Sequence, residues 1–114
     1  MVFTAWNSEM AGMYSIMDLL ALVERERAQE LWLQVGKPPL MVLRGQTRTL
    51  DAIPLTNENT TELFRSLATA DQLRELQQCG DIQFIYVSQS SARFGVNAAI
   101  QHEELSLKIR NFSR

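Results

Sequence analysis

The spacing of apolar residues switches along the chain between the helical period and the strand period. From Ser15 to about Arg27 the apolar positions follow i, i+3, i+4, i+7, which predicts a helix with a buried stripe of Ile16, Leu19, Leu20 and Val23. Ser15 is a suitable N-cap for this helix. Residues 30–35 then alternate in polarity and predict a half-buried strand, with Trp32 on the side away from its leucines.

Five further strand patterns follow. Residues 40–43 and 47–50 flank Gly45, which is suited to supply the turn of a hairpin. Three longer patterns close the chain, over residues 81–88, 92–100 and 105–110. In the middle one, alternation predicts one face made of Phe94, Val96, Ala98 and Ile100, and an opposite face made of Arg93, Gly95 and Asn97.

Two helical patterns separate the first three strands from the last three. Thr56 opens one of them, whose apolar positions are Leu63, Phe64 and Leu67. The other starts at Thr69, where Gln72 completes a capping-box pattern, and Gly80 is its natural C-terminal stop. The predicted element order is therefore αβββααβββ.

This order predicts an α+β fold, in which three helices pack on an antiparallel sheet of about six strands. Residues 15–114 form one domain in this interpretation, because no linker or internal repeat divides them. Residues 1–14 show no clean period, and we interpret them as an irregular N-terminal arm.

Composition excludes several classes of function. The chain has 114 residues, of which 46% are hydrophobic and 21% charged, with a formal net charge of −2. Nucleic acid is not an expected partner, because the only lysines are Lys37 and Lys108 and no basic stripe exists. No apolar run is long enough for a membrane span, and residues 1–11 lack the basic region of a signal peptide. We therefore expect a cytoplasmic domain without membrane insertion.

Catalytic patterns are weak. The chain has one cysteine, Cys79, and one histidine, His102, so a disulfide framework, a multi-cysteine zinc site and a histidine-based metal centre are not expected. Cys79 with His102 as its base is a formal nucleophile pair, against the simpler interpretation of a thiol at a helix end. The run His102-Glu103-Glu104 fits a solvated hairpin better than a metal site. No glycine-rich phosphate loop occurs, and we predict no enzyme, metal or cofactor.

Two surface features are the candidate binding residues. Trp32 lies opposite the leucines of its strand, where it could pack under a helix or anchor a partner. Arg44, Arg93 and Arg110 fall on the polar sides of their strands by alternation. Three arginines on a sheet could bind an anion or a partner's carboxylates, or serve only solubility.

Four segments, taken together, point to a known family: residues 28–36 (AQELWLQVG), residues 37–39 (KPP) with Arg44-Gly45, residues 54–56 (PLT), and residues 92–101 (ARFGVNAAIQ). In order and spacing they resemble the N-terminal, PAS-like domain of the PilT-type retraction ATPases of bacterial type IV pili, within the wider secretion-ATPase superfamily. The resemblance covers roughly Ser15 to Arg110 and implies a PAS-like domain.

The departures from the family pattern concern its charged residues. The first segment typically reads Ala-Ser-Asp-Leu-His-Leu, and Glu30 and Trp32 stand where the family has aspartate and histidine. The last segment reads Arg-Phe-Arg-Val-Asn, and Gly95 replaces its second arginine. In the ATPases, arginines of this domain reach the nucleotide phosphates on the core. The resemblance therefore implies phosphate sensing by Arg93 and Arg110, with the middle arginine absent.

The family continues into a RecA-like core with a phosphate-binding loop, whereas this chain ends at Arg114. The resemblance therefore implies a non-catalytic interaction or regulatory module. Such a module would dock on a pilus or secretion ATPase, as the family domain packs on its neighbour in a hexameric ring, or would self-associate. Two alternatives stay open: a PAS-like sensor of a small ligand, and a fragment of a longer hexameric ATPase.

Overall fold

The structure is a computed structural model that describes residues 15–112. The described residues form three helices, α1 (Ile16–Glu26), α2 (Asn57–Leu67) and α3 (Ala70–Cys79). They also form six strands, β1 (Glu30–Leu33), β2 (Leu40–Leu43), β3 (Gln46–Thr49), β4 (Asp81–Val87), β5 (Arg93–Gln101) and β6 (Glu104–Asn111). The predicted order αβββααβββ is confirmed. The predicted arm over residues 1–14 lies outside the described residues.

One antiparallel sheet holds all six strands, in the spatial order β3-β2-β1-β6-β5-β4. It consists of two three-stranded meanders, β1 to β3 and β4 to β6, which join where β1 pairs with β6. That junction sets Leu31 opposite Ile109 and Trp32 opposite Lys108. The α2–α3 pair forms the connection from β3 to β4. The fold is thus α+β, as the sequence predicts.

The helices cover one face of this sheet. Their buried stripes meet alternate positions of the strands in a single hydrophobic core. Phe64 of α2 and Phe94 of β5 are fully buried there, and the Phe64 ring meets the Phe84 ring edge to face at 6.1 Å between centroids. Because side chains alternate along a strand, the remaining positions point to the opposite face.

Local capping fixes where each helix begins. The Ser15 side chain accepts a hydrogen bond from the Asp18 backbone, as an N-cap should. Thr69 and Gln72 form the predicted capping box. Gly80 ends α3 with φ +88°, a left-handed conformation that costs glycine little. α2 starts with an unpredicted capping box, in which Asn59 takes the place of the usual glutamate or glutamine.

Two local predictions are wrong. β1 ends at Leu33, and Val35 forms only an isolated bridge with Leu55. Arg44 is not on a strand face, because Arg44 and Gly45 form the two-residue turn between β2 and β3, with φ +53° and +80°. Ile100 lies on the predicted face, opposite buried Leu105, and is itself 38% exposed at the end of β5.

Candidate functional site

The sheet face opposite the helices carries the candidate site, which we call the open face. Within residues 15–112 the three helices lie on the other face, so the side chains here stand in solvent or against one another. The open face is formed by Glu30 and Trp32 of β1, Lys108 and Arg110 of β6, Arg93, Gly95 and Asn97 of β5, Gln83, Ile85 and Val87 of β4, and Phe112.

A four-residue network occupies the centre of the open face, where β1 pairs with β6. The indole Nε1 of Trp32 donates a hydrogen bond to Glu30 Oε1 at 2.7 Å. The other carboxylate oxygen of Glu30 lies 3.7 Å from a guanidinium nitrogen of Arg110. Lys108 Nζ lies 4.9 Å from the centroid of the Trp32 ring, in cation–π geometry. Glu30 thus contacts the Nε1 edge of the Trp32 ring, and Lys108 contacts the face of the ring. The Trp32 side chain is half-buried.

Strand register creates this network. Glu30 and Trp32 are two residues apart on β1, so their side chains share a face. Their cross-strand partners on β6 are Arg110 and Lys108, respectively. Directly opposed side chains on antiparallel strands lie about 5 Å apart at Cβ, close enough for these contacts to form.

An apolar patch adjoins the network. The Phe112 ring lies over Gly95, and a Cβ added at Gly95 would stand 2.7 Å from Phe112 Cε2. The space is therefore open to the ring only because residue 95 is glycine. Phe112 itself is 51% exposed, and Ile85 and Val87 on β4 are each 54% exposed. Exposed aromatic side chains beside arginines are typical of protein interaction surfaces.

Shallow depressions follow the open face. One, of about 560 Å³, is lined by Glu30, Gly95, Arg110, Phe112 and neighbouring residues of β4 and β5. A second, of about 640 Å³, lies beside Trp32, Asn97 and Lys108. Both are open to solvent along the sheet, which suits the side chains of a partner.

The candidate arginines share one end of the sheet. Gly95 is the cross-strand partner of Arg110, and Arg93 precedes it by two residues, so Arg93 and Arg110 are diagonal neighbours on the open face. The Arg93 carbonyl also accepts a hydrogen bond from the Phe112 backbone. Arg44 is at the same end but in the β2–β3 turn, where the Gln29 side chain accepts a hydrogen bond from Gly45 N. The structure therefore brings two of the three arginines together.

Cys79 and His102 also lie at one end of the sheet, since Ile100 N donates to Gly80 O between them. His102 and Glu103 form the β5–β6 turn, with φ +52° and +66°. Both Cys79 and His102 are exposed, and neither side chain makes a hydrogen bond within residues 15–112. In the same part of the chain, no group of three or more histidine, cysteine, aspartate or glutamate side chains is placed to hold a metal ion.

Sequence reasoning identified Trp32 but missed most of its surroundings. Glu30 as a shared acceptor and Lys108 as a cation–π partner follow only from the pairing of β1 with β6. The position of the Phe112 ring over Gly95 requires the chain to continue in line past the end of β6. The available signal was the alternation itself, which places Glu30, Lys108 and Arg110 on the polar sides of their strands.

The chain was compared with known proteins, and no protein-family model matches it. It is 28% identical over 87 residues to the type IV pilus retraction ATPase PilT of Pseudomonas aeruginosa, which covers 76% of this chain and 25% of that protein. Its fold matches the crystal structure of the pilus retraction motor PilT with bound ADP, at a TM-score of 0.78 with 18% identity, over 85% of this chain and 29% of that one.

A second solved structure agrees, the Legionella pneumophila ATPase DotB, with a TM-score of 0.70 and 19% identity, over 86% of this chain and 29% of that one. The chain has the fold of the N-terminal domain of such ATPases, and its resemblance to PilT is confirmed. It spans about a quarter of the length of the curated relative that it matches. None of the helices in the described range is long and apolar enough to cross a membrane.

Proposed function

We propose that this chain is a non-catalytic docking module whose open face binds an ATPase of the pilus-retraction or secretion type. The observation that carries the proposal is the Glu30–Trp32–Lys108–Arg110 network, which holds an aromatic side chain on a sheet face that no described helix covers. Tryptophan and arginine are the residues most enriched among those that dominate binding energy at protein interfaces.

The departure at Gly95 supports a protein partner over a nucleotide. The related ATPases have an arginine at this position of the motif, by the resemblance stated above. Here Gly95 lies beneath the Phe112 ring, so the face presents an aromatic ring over the cross-strand partner of Ile85. An apolar patch with basic residues beside it suits a protein surface that has carboxylates next to an apolar pocket.

Phosphate sensing by Arg93 and Arg110 is the finer form of the same proposal. The two side chains share a face and are diagonal neighbours, so they could approach one anion together. Arg110 also pairs with Glu30, which lowers the net positive charge offered to a phosphate. We therefore assign Arg93 and Arg110 first to carboxylates of the partner ATPase, and to its bound nucleotide only within the assembled complex.

The chain is proposed to hydrolyse no ATP by itself, because its sequence has no phosphate-binding loop. We also propose a cytoplasmic location, where the ATP-driven partner would be found. Purified protein should release phosphate from ATP only at the rate of a buffer blank. Phosphate release above that rate, retained through successive purification steps, would contradict the non-catalytic assignment.

Binding to a relative tests the docking role directly. Immobilised chain should bind purified Pseudomonas aeruginosa PilT in biolayer interferometry, with a Kd of about 1 to 100 μM as expected for a regulatory contact. Arg110→Glu should weaken this binding at least tenfold. Arg48→Glu is the matched control, because Arg48 is exposed on β3, opposite buried Met41 and away from the open face. Equal loss of binding in both variants, or no binding by the unaltered chain, would count against the proposal.

The alternative of a small-ligand sensor has less support in the fold. The space between the helices and the sheet is filled by fully buried side chains, among them Leu20, Phe64 and Phe94. A ligand in that layer would have to displace them. Thermal unfolding with and without nucleotides and metabolites distinguishes this alternative from the docking module. A ligand that binds the folded state raises the midpoint temperature of unfolding by mass action.

The remaining alternative is a role as one domain of a longer ATPase. It is supported by the share of the relatives that the chain matches, 25% of the curated PilT protein and 29% of the PilT chain of known structure. In that case the open face would contact a neighbouring part of the same assembly. Sequencing of the coding DNA downstream of Arg114 decides between a separate module and a domain of a longer protein.

A further inference from the structure

Within residues 15–112, the two edges of the sheet differ in their protection against further strand pairing. β3 forms one edge and is four residues long, with every residue exposed and a charge at Arg48. β4 forms the other edge and is seven residues long, DIQFIYV, with Asp81 as its one charged side chain. It contains no proline and no lysine, and its pairing with β5 runs without a bulge from Asp81 to Val87. Natural edge strands avoid further pairing by means of proline, lysine or a bulge, and β4 has none of these.

The hydrogen-bond pattern shows which backbone groups of β4 point outward. Ser88 N donates to Ala92 O, and Ile100 N donates to Gly80 O, so even-numbered residues of β4 are bonded to β5. The N–H and C=O groups of the odd-numbered residues therefore point away from the sheet. We call this row of outward groups, on Asp81, Gln83, Ile85 and Val87, the β4 edge.

We propose that the β4 edge pairs with the β4 edge of a second copy of this chain, antiparallel about a two-fold axis through Phe84. In this register Gln83 lies opposite Ile85 of the second copy, and Asp81 lies opposite Val87. All seven residues of β4 are then paired, and two six-stranded sheets become one of twelve strands. The same surface serves both copies, as in any two-fold interface.

Charge complementarity favours a second copy and this register. Val87 is the cross-strand partner of Arg93 on β5, and both side chains are on the open face. Asp81 would thus stand in one row with Val87 and Arg93 of the second copy. Two strand spacings, about 10 Å between Cα atoms, separate Asp81 from that arginine, a distance that an extended arginine and an aspartate can span. The two-fold axis generates the Asp81–Arg93 ion pair twice, and no two β4 side chains of like charge lie opposite each other.

The inference does not use the Trp32 network, although it shares Ile85, Val87 and Arg93 with the open face, and its dimer is measured on this chain alone, without the partner ATPase. A single strand pair buries less than the roughly 1,200 Å² typical of stable complexes, so the dimer should be reversible, with a Kd of about 10 to 100 μM. Sedimentation of the full chain over a concentration series should show a monomer–dimer equilibrium. A monomer at every concentration would overturn the proposal.

Charge placed on the edge tests its location. Ile85→Lys should weaken the dimer at least tenfold, because lysine on an edge strand opposes pairing. Thr47→Lys makes the same change in charge on β3 and should leave the dimer unchanged. Gln83→Pro is a second disrupting variant, since residue 83 donates no hydrogen bond to β5 and its loss of an N–H affects only the outward row. Thermal unfolding verifies that each variant is folded.

Cross-linking tests the register. In a Cys79→Ser background, Gln83→Cys and Ile85→Cys proteins are oxidised separately and as a mixture. A hydrogen-bonded antiparallel pair holds its Cα atoms about 5.5 Å apart, within the range of a disulfide. The mixture should form the mixed disulfide faster than either protein forms its own. Preferential cross-linking within one variant, or a dimer that survives Ile85→Lys but is lost in Trp32→Ala, would overturn the proposal.

Discussion

The helix-covered face of the sheet and the open face are built from neighbouring residues of the same strands. On β5, Phe94 is fully buried in the core, while Gly95 next to it lies under Phe112 on the open face. On β1, Leu31 is buried and Trp32 contacts Lys108 across the open face. Of two adjacent residues, one therefore packs in the core, and the other lies on the face that we propose for binding. Substitutions at adjacent positions should separate stability from interaction.

The largest expected effect is on the covered face. Phe94→Ala removes a fully buried aromatic side chain and should lower the free energy of unfolding by about 3 to 5 kcal/mol, through lost burial and the cavity left behind. Urea unfolding followed by far-UV circular dichroism measures this change. A loss below about 1 kcal/mol would mean that the core closes around the cavity, and the contrast between the faces would disappear.

A smaller effect is expected at the centre of the open face. Trp32→Ala removes the hydrogen bond to Glu30 and the cation–π contact with Lys108, and should cost about 1 to 2 kcal/mol. Trp32→Phe is the matched variant, because it keeps a ring under Lys108 and loses only the Nε1 donor. Urea unfolding should place it between Trp32→Ala and the unaltered chain. A cost for Trp32→Ala as large as that for Phe94→Ala would make Trp32 a core residue.

Gly95 next to Phe94 should respond in a different way. Gly95→Ala forces the Phe112 ring to move, yet the ring is half-exposed and alanine is better than glycine within a strand, so the net change should stay below about 1 kcal/mol. In a Phe112→Ala background the same substitution should be stabilising, by about 0.5 to 1 kcal/mol. This double-mutant cycle measures the coupling of the two residues. Additive effects would show that the ring does not occupy the space over Gly95 in solution.

The smallest effect is expected for Arg93, whose side chain is exposed at the start of β5. Arg93→Ala should leave the free energy of unfolding within about 0.5 kcal/mol, as surface substitutions usually do. The same urea titration measures it, beside a binding measurement with PilT. A large loss of stability would give Arg93 a structural role and remove it from the candidate binding residues.

Periodicity alone predicted the three helices, the six strands and the face on which Trp32 lies. It succeeded because five of the six strands have one face in the core, which makes alternation strong at residues such as Leu105, Leu107 and Ile109. It failed at Arg44, because a two-residue turn there needs two left-handed residues and arginine is an unusual choice for one of them. It placed Ile100 on the correct face, although alternation alone does not show that this side chain is 38% exposed.

The site was less predictable than the fold for a physical reason. The contacts of Trp32 depend on which strand lies beside β1, and that neighbour, β6, is far away in sequence. Local patterns specify which side chains of a strand point into the core, but they do not specify which strand lies beside it. The resemblance to the ATPase family added only the PAS-like interpretation of the predicted fold, and the Phe112 ring lies over Gly95 where this chain departs from the family motif.

Glu30 has a further consequence for recognition. Its two carboxylate oxygens engage different strands, one binding the Trp32 indole on its own strand and the other meeting Arg110 on β6. The Trp32 and Arg110 side chains are therefore restricted in their rotamers in the free domain. Ordering a side chain of this kind during association costs about 0.5 to 1.5 kcal/mol. In the complex that we propose, Glu30 would thus reduce the loss of conformational entropy on binding without having to touch the partner.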